Sequence, residues 1–188
     1  MDSYEEFNAL DEGIEPGGLR NKDEIKVLIC YLLKTIDTSI TREQIGDIMQ
    51  DQGIANYFEA MDAISDLLSN GSITSDYRDD KEYLSVTDIG RTAILALEKD
   101  LPKTVREKAV KSAIRFITLE RNERENEVKI SPVDGGYTIS FTMRDRETVL
   151  MELSMFVGDR DQAEKLKENF VEDPARVYSS ILASLMID

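Results

Sequence analysis

Along residues 22–36 the apolar positions Ile25, Leu28, Ile29, Leu32, Leu33 and Ile36 recur every three or four residues, the spacing that lines one side of an α-helix. A helix with a single buried stripe is therefore expected from Lys22, with ordered structure beginning near Asn21. Thr41, followed three residues later by Gln44, has the form of a capping box. Ile45, Ile48 and Met49 give this second helix a short apolar side before Gly53 ends it. Asn56 suits the N-cap of a third helix, with Phe58, Met61, Ile64, Leu67 and Leu68 on its buried face and Asn70-Gly71 at its end. Two strand-like runs follow, Ser72 to Tyr77 and Glu82 to Thr87, on either side of the turn Arg78-Asp-Asp-Lys81. Three short helices followed by such a hairpin predict a winged helix-turn-helix, with the hairpin as the wing. Thr87 or Asp88 then caps a helix through Ile94, Leu95 and Leu97.

Pro102 suits the first turn of another helix, expected from Lys103 to Asn126. Its apolar stripe, Val105, Ala109, Val110, Ala113, Ile114 and Ile117, is narrow among many charges, as in a connector or a dimer seam. Beyond it the period changes from helix to strand. Glu127 to Ser131, Tyr137 to Met143 and Thr148 to Val157 read as three strands, joined by Asp134-Gly-Gly136 and Arg144-Asp-Arg-Glu147. Alternation at Tyr137, Ile139, Phe141 and Met143 implies a sheet with one buried face. Asp159 or Asp161 can cap a helix through Ala163, Leu166 and Phe170, and Pro174 opens a last helix with Val177, Ile181, Leu182 and Leu185. Both helices are expected to cover the sheet.

The fold class that follows is α+β. An acidic flexible tail is expected over residues 1–20 and a winged helix-turn-helix domain over 21–100. A connecting helix follows over 101–126, and then an α+β C-terminal domain over 127–188, a small antiparallel sheet covered by two helices. The 188 residues suffice for two small domains.

Charge changes the picture most. The formal net charge is −15, of which residues 1–20 carry five net negative charges, residues 21–100 eight and residues 101–188 only two. A nucleic-acid binder normally carries a basic footprint, and here the half expected to meet DNA is the acidic one. Composition also narrows the chemistry. There is no histidine, hence no imidazole base or ligand, and the single cysteine, Cys30, sits in the apolar run Val27 to Leu33 as a small core residue. No pair of acids, Gly-rich phosphate loop or EF-hand pattern stands out, so neither catalysis, a cofactor nor a metal is expected. No apolar run is long enough to span a bilayer and no signal peptide is visible, so a cytoplasmic location without membrane contact is expected.

Asn56-Tyr-Phe58 leading into Ile64-Ser-Asp-Leu-Leu-Ser-Asn-Gly71, and then Tyr83-Leu-Ser-Val-Thr-Asp-Ile-Gly90, resemble a bacterial winged-helix family of unknown function that is loosely similar to transcriptional regulators of the PadR type. The resemblance extends from Asn21-Lys22 to the C-terminus. It implies a winged helix-turn-helix fold, a role in transcription, and a C-terminal domain whose purpose is not established.

Two functional readings stay open. As a DNA-binding regulator the chain would present Asn56 and Tyr57 to base edges of double-stranded DNA, with Lys22, Lys26, Arg42, Arg78, Lys81 and Arg91 on phosphates. Yet the outer side of the third helix offers Asn56, Tyr57, Glu59, Asp62, Ser65, Asp66 and Ser69, without a Lys or Arg. As a protein-interaction or dimerisation module, the chain would pair as a homodimer through Val105, Ala109, Ile114 and Ile117 of the connecting helix. On that second reading the winged helix would contact an unknown protein, and on either reading the C-terminal domain is expected to serve assembly or the sensing of a small-molecule effector.

Overall fold

The structure, a computed structural model, describes residues 18–51 and 53–186. Most of the expected acidic tail therefore lies outside the described residues. The chain divides into two compact units, residues 1–116 and 117–188. The described residues form seven helices and two three-stranded antiparallel sheets, a mixed α+β arrangement.

In the first unit the order is α1 (Lys22–Ile36), β1 (Ile40–Thr41), α2 (Arg42–Asp51), α3 (Tyr57–Ser69), β2 (Ile73–Arg78), β3 (Lys81–Val86) and α4 (Asp88–Leu97). α1 starts where its stripe starts. The Asn21 side chain accepts a hydrogen bond from the Asp23 amide at 2.9 Å, satisfying one of the unpaired donors of the first turn. Ile25, Leu28, Ile29, Leu32 and Leu33 are all buried, and α1 packs against α3, α4 and β3. Each such side chain contributes about 1.5–3 kcal/mol on full burial, so this helix anchors the unit. The capping box at α2 closes in both directions: the Thr41 amide donates to Gln44 Oε1 at 2.8 Å, and the Gln44 amide to Thr41 Oγ1 at 3.1 Å.

The hairpin turns through Asp79 and Asp80, both with positive φ (48° and 60°), the two-residue geometry whose twist matches antiparallel strands. Its sheet has a third member that the residue pattern did not reveal: β1 pairs with β3 through Ile40 opposite Leu84 and Thr41 opposite Tyr83, giving the order β1-β3-β2. Where β3 runs into α4, the Thr87 hydroxyl directs its proton toward the carbonyls of Gly71 (2.7 Å) and Ser72 (3.0 Å) and accepts from the Gly90 amide (3.3 Å). This ties the start of α4 to the end of α3. Helix α5 (Lys103–Glu125) begins in the first unit and ends in the second.

The second unit contains β4 (Asn126–Val133), β5 (Gly136–Asp145), β6 (Thr148–Val157), α6 (Arg160–Glu172) and α7 (Pro174–Leu185), its sheet a meander of order β4-β5-β6. Ile139 and Phe141 from the alternating face of β5 join Val157, Ala163 and Phe170 in a buried core. The rings of Phe141 and Phe170 lie 4.8 Å apart. The two helices share the cover unequally. α6, capped by Asp159 on the Gln162 amide at 2.7 Å, buries Ala163 and Phe170 against the sheet, whereas α7 adds Val177 and leaves Leu182, Leu185 and Met186 exposed.

The two edges of this sheet differ in kind. β4 carries Pro132, which cannot donate to a further strand, and the ion-paired Glu127 and Lys129 (2.7 Å). Such features deter another strand from joining. β6 carries one charge in ten residues, Glu152, and exposes Val149, Leu150, Met155 and Phe156. No helix among the described residues is long and apolar enough to cross a membrane.

Candidate nucleic-acid interface

Helix α3 is placed by small residues. Ala60, Ala63, Ile64 and Leu67 form its buried stripe, and α3 lies against α1 and α2. Position 58 precedes Ala60 by two residues, roughly 200° around the helix, so Phe58 is turned outward and is 78% exposed. That corrects its expected place on the buried face. Met61 and Leu68, assigned to the same face, are half-buried. Tyr57 meets the Phe58 ring edge to face, with centroids 5.8 Å apart. It also lies over Gly46, where a Cβ would come within 2.3 Å of its ring. Asn56 accepts a hydrogen bond from the Phe58 amide at 2.8 Å, so its side chain serves as the cap of α3.

Of the six cations expected to touch phosphates, five sit in ion pairs with carboxylates of the same unit. Lys22 reaches Asp62 (2.5 Å) and Asp66 (2.8 Å), and Lys26 reaches Asp23 (2.6 Å) and Asp66 (3.6 Å). Arg42 binds Glu82 at 2.6 Å across 40 residues of sequence. Arg78 binds Asp76 at 2.8 Å and lies 5.3 Å from the Tyr83 ring centroid, and Arg91 binds Asp37 at 2.9 Å. Lys81 is exposed beside the hairpin turn. The Asp62 and Asp66 carboxylates hold the Lys22 ammonium well above its ordinary range, and Lys22 in turn holds Asp66 below the usual carboxylate range.

The residues expected to pair two chains through α5 are not one surface. Val105 and Ala109 are buried, Ile117 is half-buried, and Ile114 stands 56% exposed. The first half of α5 runs beside α1 and α2: Arg106 stacks over Tyr31 at 5.5 Å, and Ser112 lies 3.4 Å from Asp51. Half of the apolar stripe is therefore used within the chain.

One apolar recess of about 350 Å³ opens between α1, the end of α3 and α4, lined by Val27, Cys30, Leu67, Ile94 and Leu97, with Asp23 and Lys26 beside them. Burial pushes the Cys30 thiol up to about 11 from its ordinary 9.0. The folded chain therefore keeps the Cys30 proton through a range in which the unfolded chain loses it. Stability from this group is complete below pH 9 and falls as pH climbs toward 11. A water-soluble thiol reagent at pH 8 is expected to label Cys30 only after urea unfolding; prompt labelling of the native protein would contradict its burial.

Among the described residues no three or more His, Cys, Asp or Glu side chains are grouped so as to hold a metal ion. The family model described as "Domain of unknown function (DUF4364)" matches residues 25–185, most of the chain. No curated protein and no solved structure matches.

Proposed function

The chain belongs to the DUF4364 family of unknown function, and from the geometry above we propose that its N-terminal unit is a winged helix that binds a protein through α3 rather than duplex DNA. The order α1-β1-α2-α3-β2-β3, with the short strand β1 closing the sheet beside the hairpin, supports the winged-helix reading. α3 then occupies the place of the groove-reading helix and the hairpin that of the wing.

The observation that carries the choice of partner is the surface of α3. Phe58 is outward, and Glu59, Asp62 and Asp66 flank it on a helix with no cation. An exposed ion pair is worth about 0–1 kcal/mol, so a phosphate could displace Asp62 or Asp66 from Lys22 at little cost. Those carboxylates would then face the polyanion unpaired, and the repulsion returns. A protein surface with an apolar pocket and a basic rim meets the same helix without that conflict.

A photoreactive benzophenone side chain placed at position 58 in the producing cell tests this, because position 58 is exposed and its replacement leaves the core intact. The expected product is a protein adduct, lost when Glu59, Asp62 and Asp66 are changed to Gln, Asn and Asn. An adduct to DNA would overturn the reading.

The second reading, a DNA-binding transcriptional regulator, is favoured by the same element order and by Arg78 and Lys81 at the hairpin turn. It requires wild-type protein to enrich one fragment from sheared host DNA at low salt, with affinity that falls as salt rises. On the protein-binding reading no fragment is enriched.

A further inference from the structure

We infer that two copies of this chain join through strand β6, edge to edge and antiparallel, so that their two three-stranded sheets become one of six strands. The inference rests on the second unit alone and stands whichever partner α3 takes.

An edge strand presents a row of unpaired amides and carbonyls, and proteins that stay monomeric guard it with charge, proline or a short length. Here the two edges are guarded unequally: β6 has a register irregularity where it passes Met143 and Arg144 of β5, but neither a proline nor a paired charge. β4 has Pro132 and the Glu127 and Lys129 pair, whereas β6 runs ten residues with Glu152 as its single charge and Leu150, Met155 and Phe156 exposed. The strand that fits such an edge must be equally poor in charge, and β6 itself meets that requirement.

The position of the one charge selects the register. Side chains share a face only if paired residue numbers add to an even total. A pairing centred on Glu152 would set the two glutamates opposite each other, which is destabilising. Moving the two-fold axis one residue, to Leu153, sets Glu152 opposite Ser154 of the second copy. On the same face Leu150 meets Phe156 of the second copy, and on the face covered by α6 Met151 meets Met155. Every exposed apolar side chain from Leu150 to Phe156 then has an apolar partner. Ser154 is short, and its hydroxyl lies 2.6 Å from that of Ser140 on the solvent side of the sheet.

The register gives a test that a general loss of folding cannot mimic. Sedimentation equilibrium of the full chain is expected to show a dimer at tens of micromolar. Ser154→Lys, which places an ammonium opposite Glu152 of the second copy, should tighten the dissociation constant about threefold. Ser154→Glu should loosen it about tenfold, with both effects shrinking in high salt. Adding Glu152→Lys to Ser154→Glu exchanges the two charges and should restore dimerisation. A wild-type monomer at these concentrations, or equal effects of Ser154→Lys and Ser154→Glu, overturns the proposal.

Discussion

Gly90→Ala is expected to destabilise the first unit by roughly 2–3 kcal/mol, even though it replaces a poor helix former by the best one. Gly90 lies in the first turn of α4 and is buried. A Cβ there would sit 2.2 Å from the Ser72 carbonyl oxygen and 2.8 Å from a Val86 methyl. The gain in helix propensity is about 1 kcal/mol and cannot offset the clash, because the first obstacle is backbone. Ser72 O is itself held, accepting from the Thr87 amide at 3.0 Å and from the Thr87 hydroxyl. Relief therefore requires α4 to lift from the hairpin and to break the Thr87 tether. Urea unfolding followed by circular dichroism should show the lower midpoint. A variant as stable as the wild type would mean that the junction of β3 with α4 yields more easily than these distances allow.

Phe170→Ala should cost more, about 3–5 kcal/mol, and should act on the second unit. Among the described residues that unit's central buried cluster is small, Ile139, Phe141, Val157, Ala163 and Phe170, and Phe170 reaches from α6 to Phe141 on the central strand. Truncation removes the aromatic ring that α6 packs into the cluster and leaves a void beside Phe141. A small core has little stability to lose. Hydrogen exchange resolved by peptide is expected to show β5 and α6 losing protection while α1 keeps its own. Uniform loss across the chain would show instead that the two units unfold as one.

Much of this architecture could be read from the residues because it is written in local periods and caps. The stripe from Ile25 to Leu33, the Thr41 and Gln44 box and the alternation along β5 each involve neighbours in sequence, and each stands in the structure where the pattern puts it. What escaped depends on distant partners. β1 is two residues long, too short for any period, and exists through pairing with Tyr83 and Leu84. Phe58 looked like core because it is apolar and close to the stripe; Ala60 and Ala63, which occupy little space, set the helix's rotation instead. The candidate interface suffered most. Lys22, Arg42 and Arg91 read as available cations, but their carboxylates lie 40 to 54 residues away, at Asp62, Glu82 and Asp37. A net charge gave warning of this, though only coordinates identify which acid meets which base.

The exposed β6 edge of the second sheet also bears on how the chain is made. A ribosome releases roughly 5–20 residues each second, whereas a hairpin closes in about 1–10 μs. β6 is the last strand of its sheet in chain order and pairs with the one immediately before it across the short turn at Arg146 and Glu147. By the time its bare side emerges, β5 is already there to take the other. β6 thus spends almost none of its synthesis as a loose strand, and crowding among nascent chains on one messenger meets a single open edge of this strand rather than two.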